Sequence, residues 1–332
     1  MSSLKAVAQL ANVSLMTVSR AINTPEKLNP ETLIQVQSAI KQLNYVPNIS
    51  ALKIRGAKTT PNSIGVLALD TVTTPFSVDI TLAIEETARS HGWHSFVINL
   101  LKHDDPEDIT KLLLSYRPSG IIYTTMGLRK VKVPMSLLNY PCVLANCESD
   151  NPQQLASYIP DDKQGQYDAV QALIKAGYRK PLCLHLPYGL VASSRRREGL
   201  EQALREHNIN PETLTHIYIE DGDIYYLDIP NKILSILKND KSSFDSIICC
   251  NDRMAFVVYQ TLLAHNIKIP GDIAVVGYDN MVGVGNLFIP ALSTVQLPHY
   301  EIGRLSALHI INAKQHTETI KVHSNYLARD SL

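Results

Sequence analysis

Long apolar runs are absent from this 332-residue chain. No stretch approaches the ~18 consecutive apolar residues of a membrane span, so no membrane partner is expected. Met1 to Val13 lacks a basic head followed by an apolar core, and no secretory signal is read there. The five cysteines (Cys142, Cys147, Cys183, Cys249, Cys250) show no metal-type spacing. Cys249 and Cys250 are adjacent inside an apolar run and read as buried thiols, which points to a reducing cytoplasm. There is no GxGxxG and no P-loop, so phosphate-cradle chemistry has no support and no cofactor is expected. No nucleophile–base pair stands out, no catalytic residue is assigned, and the chain is not read as an enzyme. His91 and His94 sit at an expected helix end and strand start with no third ligand nearby, so no metal is expected either. Repeats and low-complexity tracts are also missing.

What is present is an asymmetry of charge. Net charge is zero overall. Residues 1–58 nevertheless hold seven cations and two anions, a net +5, and the remainder carries a net −5. A small basic head on a larger acidic body is the pattern that nucleic-acid binding produces.

The head reads as helix, tight turn, helix. Ser3 is placed to cap a helix from Leu4 to Leu10, with Leu4, Val7, Ala8 and Leu10 as its apolar stripe. Asn12 tolerates the left-handed backbone of a sharp turn. Ser14 caps a second helix, Leu15 to Asn23, which buries Val18, Ala21 and Ile22 and projects Leu15, Met16, Thr17, Ser19 and Arg20. Asn29 and Pro30 start a third helix, whose Leu33, Val36, Ile40 and Leu43 recur at helical spacing. The second helix suits a major groove: Arg20 forks onto guanine or phosphate, the Thr17 and Ser19 hydroxyls reach phosphates, and Leu15 and Met16 meet a thymine methyl. After Tyr45-Val46-Pro47, Asn48 is positioned to cap a helix from Ile49 to Arg55 that Gly56 ends. Seven residues are too few for a stable helix in water alone, so order is expected only against a partner helix and DNA.

From Asn62 onward strands and amphipathic helices alternate, the mark of parallel sheets. Strands are expected at 64–69, 95–100, 120–124 and 142–146, then at 182–186, 215–219, 246–250 and 273–277. Helices are expected at 77–91 and 106–116, then near 163–177, 193–208, 228–239 and 252–265. Two α/β series in tandem suggest two lobes with a cleft, and ligands of open parallel sheets sit beyond the carboxyl ends of the strands. Asp70 to Phe76, Asn146, Asn251-Asp252 and Tyr278-Asp279 follow those ends. Among them and the neighbouring helices, Phe76, Arg196, Asn251 and Asp279 form a set suited to a neutral polyol: amide and carboxylate for hydroxyls, a guanidinium fork, and a ring for an apolar sugar face.

LKAVAQLANVSLMTVSRAIN resembles the DNA-binding signature of the lactose/galactose repressor family, with Asn12 where that family usually has Gly, and LNYVPNISALKIRG resembles its hinge. The resemblance continues through TTPF, DDKQGQYDAVQALIKAGYRKP, SRRREGLEQAL, CCNDRMAF, AVVGYDN and STVQLPHYEIG, covering nearly the whole chain. It implies a small all-α helix-turn-helix head on a two-lobed α/β body like that of periplasmic binding proteins. The implied division is 1–46 for the head, 47–61 for a hinge helix and linker, 62–160 with 291–320 for the first lobe, and 161–290 with 321–332 for the second. The implied DNA contacts are Leu15, Met16, Thr17, Ser19, Arg20 and Asn23, with Asn48, Ala51 and Ile54 in the hinge, where Ile54 stands in the place of the minor-groove wedge. The implied effector contacts are Phe76, Arg196, Asn251, Asp279 and Gln296. Where relatives carry a stacking aromatic after Gly-Asp this chain has Ile224, so Tyr225 or Tyr226 is the candidate replacement. The function implied is a sugar-responsive transcriptional repressor bound to a palindromic operator as a dimer, with sucrose or its fructose half as the expected inducer. No apolar heptads follow the expected final strand, Tyr326 to Ala328, so a homodimer rather than a tetramer is expected. The competing readings are a transport-type sugar-binding protein and a cytoplasmic carbohydrate enzyme on the same body.

Overall fold

The computed structural model describes residues 3–46, 62–71, 78–150, 155–220, 223–239, 243–281 and 284–332, without the side chains of 223–225. The chain divides into two units, 1–62 and 63–332.

In the head, α1 (Leu4–Leu10), α2 (Leu15–Asn23) and α3 (Pro30–Gln42) are each started by the side chain expected to cap them. Ser3 Oγ accepts from Ala6 N, Ser14 Oγ from Thr17 N and Asn29 Oδ1 from Glu31 N, at 3.0–3.1 Å. Each bond satisfies an N–H that the helix itself leaves without a partner. Asn12 has φ 48°, the left-handed turn its small polar side chain allows. Val7, Ala8, Ala11, Val18, Ala21, Val36 and Ala39 form the core. Leu10, expected in that stripe, is exposed instead. The 3.6-residue period carries the face from Leu4 through Val7 and Ala8 to Ala11, and Leu10 falls beside it.

The body contains two parallel sheets. The first has the strand order β11-β5-β4-β3-β1-β2, built from β1 (Ser63–Leu69), β2 (His94–Leu100), β3 (Gly120–Val131), β4 (Cys142–Ser149), β5 (Ser157–Pro160) and β11 (Thr319–Val322). The two-residue period of β1 serves both faces. Ile64, Val66 and Ala68 join a core with α4 (Val78–Ser90) and α10 (His299–Ile311), while Leu67 joins the opposite core with Leu113 of α5 (Pro106–Ser115). Strands covered on both faces are continuously apolar, which is why they read clearly as strands.

The second sheet runs β7-β6-β8-β9, from β6 (Pro181–His185), β7 (His216–Tyr218), β8 (Ser246–Cys249) and β9 (Ala274–Val276). One face packs on α6 (Asp162–Lys175) and α7 (Val191–Glu206), through Val170, Leu173, Leu200 and Leu204. The other packs on α8 (Ile229–Asn239) and α9 (Asp252–Ala264), through Ile233, Val258 and Leu262. The short β10 (Thr294–Gln296) pairs with β12 (Asn325–Leu327), and bridges from Ser293 to Val276 and from Gln296 to Asp279 seat it beside β9. The chain therefore passes between the sheets three times: after β5, between β10 and α10, and after β11. Residues 293–296 lie with the second sheet and 321–322 with the first, so these two passages come a few residues later than the expected changes at 291 and 321. Strands β5, β10 and β11 were not anticipated, three or four residues leaving too short a pattern to read; nor was helix α10, whose buried face mixes Ile302, Ala307 and Ile310 with Gly303, Ser306 and His309.

The lobes meet through Leu128, Ile159 and Ala192, and through Arg195 of α7, whose Nη2 lies 2.8 Å from a carboxylate oxygen of Glu148 in β4. Helix α7 crosses α6 so closely that a Cβ at Gly199 would overlap the Lys163 carbonyl oxygen. Gly199→Ala is accordingly expected to destabilise the body by about 1–3 kcal/mol through overpacking, seen as a lowered urea midpoint. An unchanged midpoint would show that the two helices separate without cost.

Candidate functional site

The head offers one distinctive surface. On α2 Met16 and Leu15 are 64% and 49% exposed, and Arg20, one turn from Met16, is exposed as well. The Thr17 hydroxyl lies 2.9 Å from Ser14 Oγ, and Asn23 Nδ2 donates to Ser19 Oγ at 3.2 Å. These polar groups brace the helix around a protruding apolar pair and one free-standing guanidinium.

In the body the decisive side chain is Arg196. Although it belongs to a run of three arginines, it is only 5% exposed. Its Nε donates to Asp162 Oδ1 at 2.8 Å, and its Nη1 donates to Asp279 Oδ1 at 3.2 Å and to the Cys250 carbonyl. The guanidinium carbon stands 3.7 Å from the centroid of the Tyr278 ring. Each partner is brought by the end of an element. Asp162 opens α6, Cys250 follows β8, and Asp279 follows β9 with φ 108°, its N–H donating to the Val295 carbonyl at 2.9 Å. Asp70 and Asn146, flagged after or near the ends of β1 and β4, are also left-handed, at φ 57° and 60°. Asp and Asn tolerate this conformation; Asp70 and Asp279 follow the carboxyl ends of their strands, while Asn146 lies inside β4, where its register with β3 shifts.

The charges in this cluster are unevenly matched. Beside Arg196 stand the carboxylates of Asp162 and Asp279, and Asp252 at the start of α9 lies beyond them. Burial pushes the Asp279 carboxyl up to about 8 against the pull of Arg196, with Asp252 and Asp162 adding to the rise. Burial likewise takes Asp252 to about 6, opposed by hydrogen bonds from Met281 N and Thr294 Oγ1 at 2.9 and 2.7 Å. Asp162 Oδ2 and Asn146 Oδ1 are buried acceptors that no described side chain or backbone group satisfies.

The structure thus brings Arg196 and Asp279 into direct contact. Gln296 is placed beside Asp279 by strand pairing, accepting from Asn280 Nδ2 and donating to the Leu297 carbonyl at 3.0 Å. Asn251 is next in sequence to Cys250. Its Oδ1 caps α9 at Met254 N and its Nδ2 donates to the Tyr226 hydroxyl, both at 2.8 Å. Arg253 lies 4.7 Å over the Tyr226 ring, so of the two candidate aromatics Tyr226 stands against a predicted site residue. Phe76, Asn48, Ala51 and Ile54 lie outside the described residues, as does the Tyr225 side chain. Asp162 was missed. Its signal is Tyr158-Ile159-Pro160 before it, a strand too short to be read, whose carboxyl end it follows.

Residues 3–48 match the profile of bacterial regulatory proteins of the lacI family, and residues 61–330 match that of periplasmic binding proteins and the sugar binding domain of the LacI family. The chain belongs to the LacI family. It is 49% identical over 331 residues to the sucrose operon repressors of Escherichia coli and Shigella flexneri, covering 100% of both chains in each case. Among solved structures, the lac repressor dimer bound to operator and an anti-inducer superposes with TM-score 0.82 at 22% identity, over 99% of this chain and 98% of that one, a likeness of fold. LacI-family membership assigns the head and body described above to the two parts that define such regulators. Among the described residues, no helix is long and apolar enough to cross a membrane.

The raised carboxyl of Asp279 has a measurable consequence. It holds its proton in the folded protein up to about pH 8 and in the unfolded chain only to about pH 4. Its contribution to stability is therefore present below about pH 4 and is lost as pH rises through about 8. Asp279→Asn removes this dependence. The difference in Tm, variant minus parent, should grow steadily from pH 5 to pH 8; a constant difference across that range would mean that Asp279 is ionised throughout.

Proposed function

We propose that this LacI-family chain represses sucrose-utilisation genes in the cytoplasm, binding a palindromic operator as a homodimer and releasing it when a sugar occupies the body. The reading is carried by one observation: a groove-sized helical head and a buried arginine–carboxylate cluster occur in one chain that matches sucrose operon repressors from end to end. A binding role accounts for this combination without catalysis.

In this reading Leu15, Met16 and Arg20 face the bases. Thr17, Ser19 and Asn23 support them or reach phosphates. The hinge roles of Asn48, Ala51 and Ile54, and the role of Phe76 over the sugar, are those the family resemblance assigns. The effector lies between 62–160 and the 161–290 segment, against Arg196, Asn251, Asp279 and Gln296. An uncharged, hydroxyl-rich ligand suits this cluster. Its hydroxyl groups supply donors to buried acceptors such as Asp162 Oδ2 and acceptors to the guanidinium. Sucrose or its fructose half fits that chemistry.

The test is fluorescence anisotropy with promoter DNA from a sucrose operon, with and without sucrose and fructose. Sugar-dependent release is the expected result, and indifference to both sugars would reject them as inducers. Arg20→Ala should weaken operator binding by about 1–3 kcal/mol and relax specificity at one base pair per half-site, leaving non-specific binding nearly unchanged. An equal loss on all DNA would instead make Arg20 a phosphate contact. Asp279→Ala should still bind operator but lose its response to sugar, measured by calorimetry beside the anisotropy; a parental response would remove Asp279 from the effector site.

A further inference from the structure

Away from the arginine cluster, the second sheet gathers three metal-ligating side chains. Cys183 and His185 are two residues apart on β6 and so share a face, and the parallel register pairs Cys183 with His216 on β7. The Cys183 Sγ and one ring nitrogen of each histidine lie within 4.8 Å of one another. Cys183 and His185 are fully buried, and His216, on the edge strand of the sheet, is half-buried.

The hydrogen bonds fix where the lone pairs are. His216 Nε2 lies 2.9 Å from the Pro211 carbonyl oxygen, to which it must donate, so His216 Nδ1 is an acceptor. That Nδ1 lies 2.8 Å from His185 Nε2, with the rings stacked at 11°. A single proton on His185 Nε2 bridges two nitrogens, with a thiol alongside. A carbonyl fixing the far nitrogen of an imidazole is the arrangement that orients histidines on metals. His185 has an outer partner too, since its Nδ1 lies 3.9 Å from Cys250 Sγ. The nearby Arg197 cation is already paired with Glu201 at 2.6 Å.

We propose that Cys183, His185 and His216 form a binding site for a zinc-type divalent transition metal, the ion taking the place of the bridging proton. Tetrahedral bonds of about 2.0–2.1 Å to nitrogen and 2.3 Å to sulfur require only that the imidazoles part slightly and the sulfur move in. On binding, Cys183 releases its proton to solvent and the His185 proton passes to Nδ1, facing Cys250. No electron is transferred, and one coordination position remains for water. Imidazole and thiolate donors select zinc-like ions over calcium or magnesium. The proposal does not depend on the repressor reading.

The experiment uses the full chain, stripped with chelator and titrated with Co²⁺ alone. One equivalent should give the visible bands of tetrahedral Co²⁺ and a near-ultraviolet thiolate charge-transfer band, both bleached by Zn²⁺. Cys183→Ser should remove the charge-transfer band, and His216→Gln should weaken binding at least about tenfold, with circular dichroism confirming the fold. Absence of the bands in the parent overturns the site, as does their survival in both folded variants. Should either variant fail to fold, X-ray absorption of the Zn²⁺-loaded parent decides: two imidazoles and one sulfur support the site, and any other shell refutes it.

Discussion

A guanidinium taken out of water is stable only if its surroundings replace what water gave it, and the second lobe is organised around that requirement at Arg196. Desolvation costs several kcal/mol per buried ion, and attraction offsets it only where geometry and hydrogen bonding are both good. The Asp162 carboxylate, the Asp279 carboxyl oxygen, a carbonyl and the face of Tyr278 meet the need. Each of these partners depends on something else. Gly199 lets α7 approach α6 and so bring Arg196 to Asp162. A left-handed backbone presents Asp279. The hydroxyl of Tyr278 lies 3.3 Å from the Asp162 carbonyl oxygen, to which it donates, holding the ring in place. Removal of Asp162 leaves the guanidinium buried without its carboxylate, and removal of Asp279 costs it an acceptor, which is why this cluster tolerates little change.

The same helix joins that cluster to the other lobe. Successive residues of an α-helix point about 100° apart, so three consecutive arginines cannot share a role. Arg195 reaches Glu148 across the lobes, Arg196 enters the cluster, and Arg197 pairs with Glu201 on the lobe's own surface. One helix thus carries a polar contact to each lobe.

Much of this was legible in the sequence where local chemistry and global fold agree. The caps Ser3, Ser14 and Asn29, the turn at Asn12, and the central strands of both sheets are written in short-range patterns that later packing reinforces. Arg196 and Asp279, which the structure brings into contact, were reached by topology and resemblance together. The rest was hidden for identifiable reasons. Leu10 is apolar yet stands outside because helical phase, not residue type, decides the face. Asp162 follows a four-residue strand that alternation cannot reveal. Cys183, His185 and His216 lie on two strands that sequence spacing does not align, and only the β6–β7 register makes them neighbours. Composition makes Arg195-Arg196-Arg197 look like solvated surface, and only the packing of α7 separates them.

The threefold passage of the chain between the sheets bears on how the protein is made. The first lobe is begun at Ser63, but its core also needs Ile302, Ala307 and Ile310 from α10, and its edge strand β11 ends only at Val322. A ribosome that has released residues up to 160 has therefore exposed a sheet with one apolar face covered by α4 alone. That face waits through the synthesis of the second lobe, roughly 140 residues, at about 5–20 residues per second. The lobe begun first is thus finished only after most of the second has been made, and its closing contacts are of long sequence separation, the kind that slows folding. For several seconds of every synthesis the nascent chain carries an unfinished apolar surface, and shielding it falls to whatever holds nascent chains in the cell.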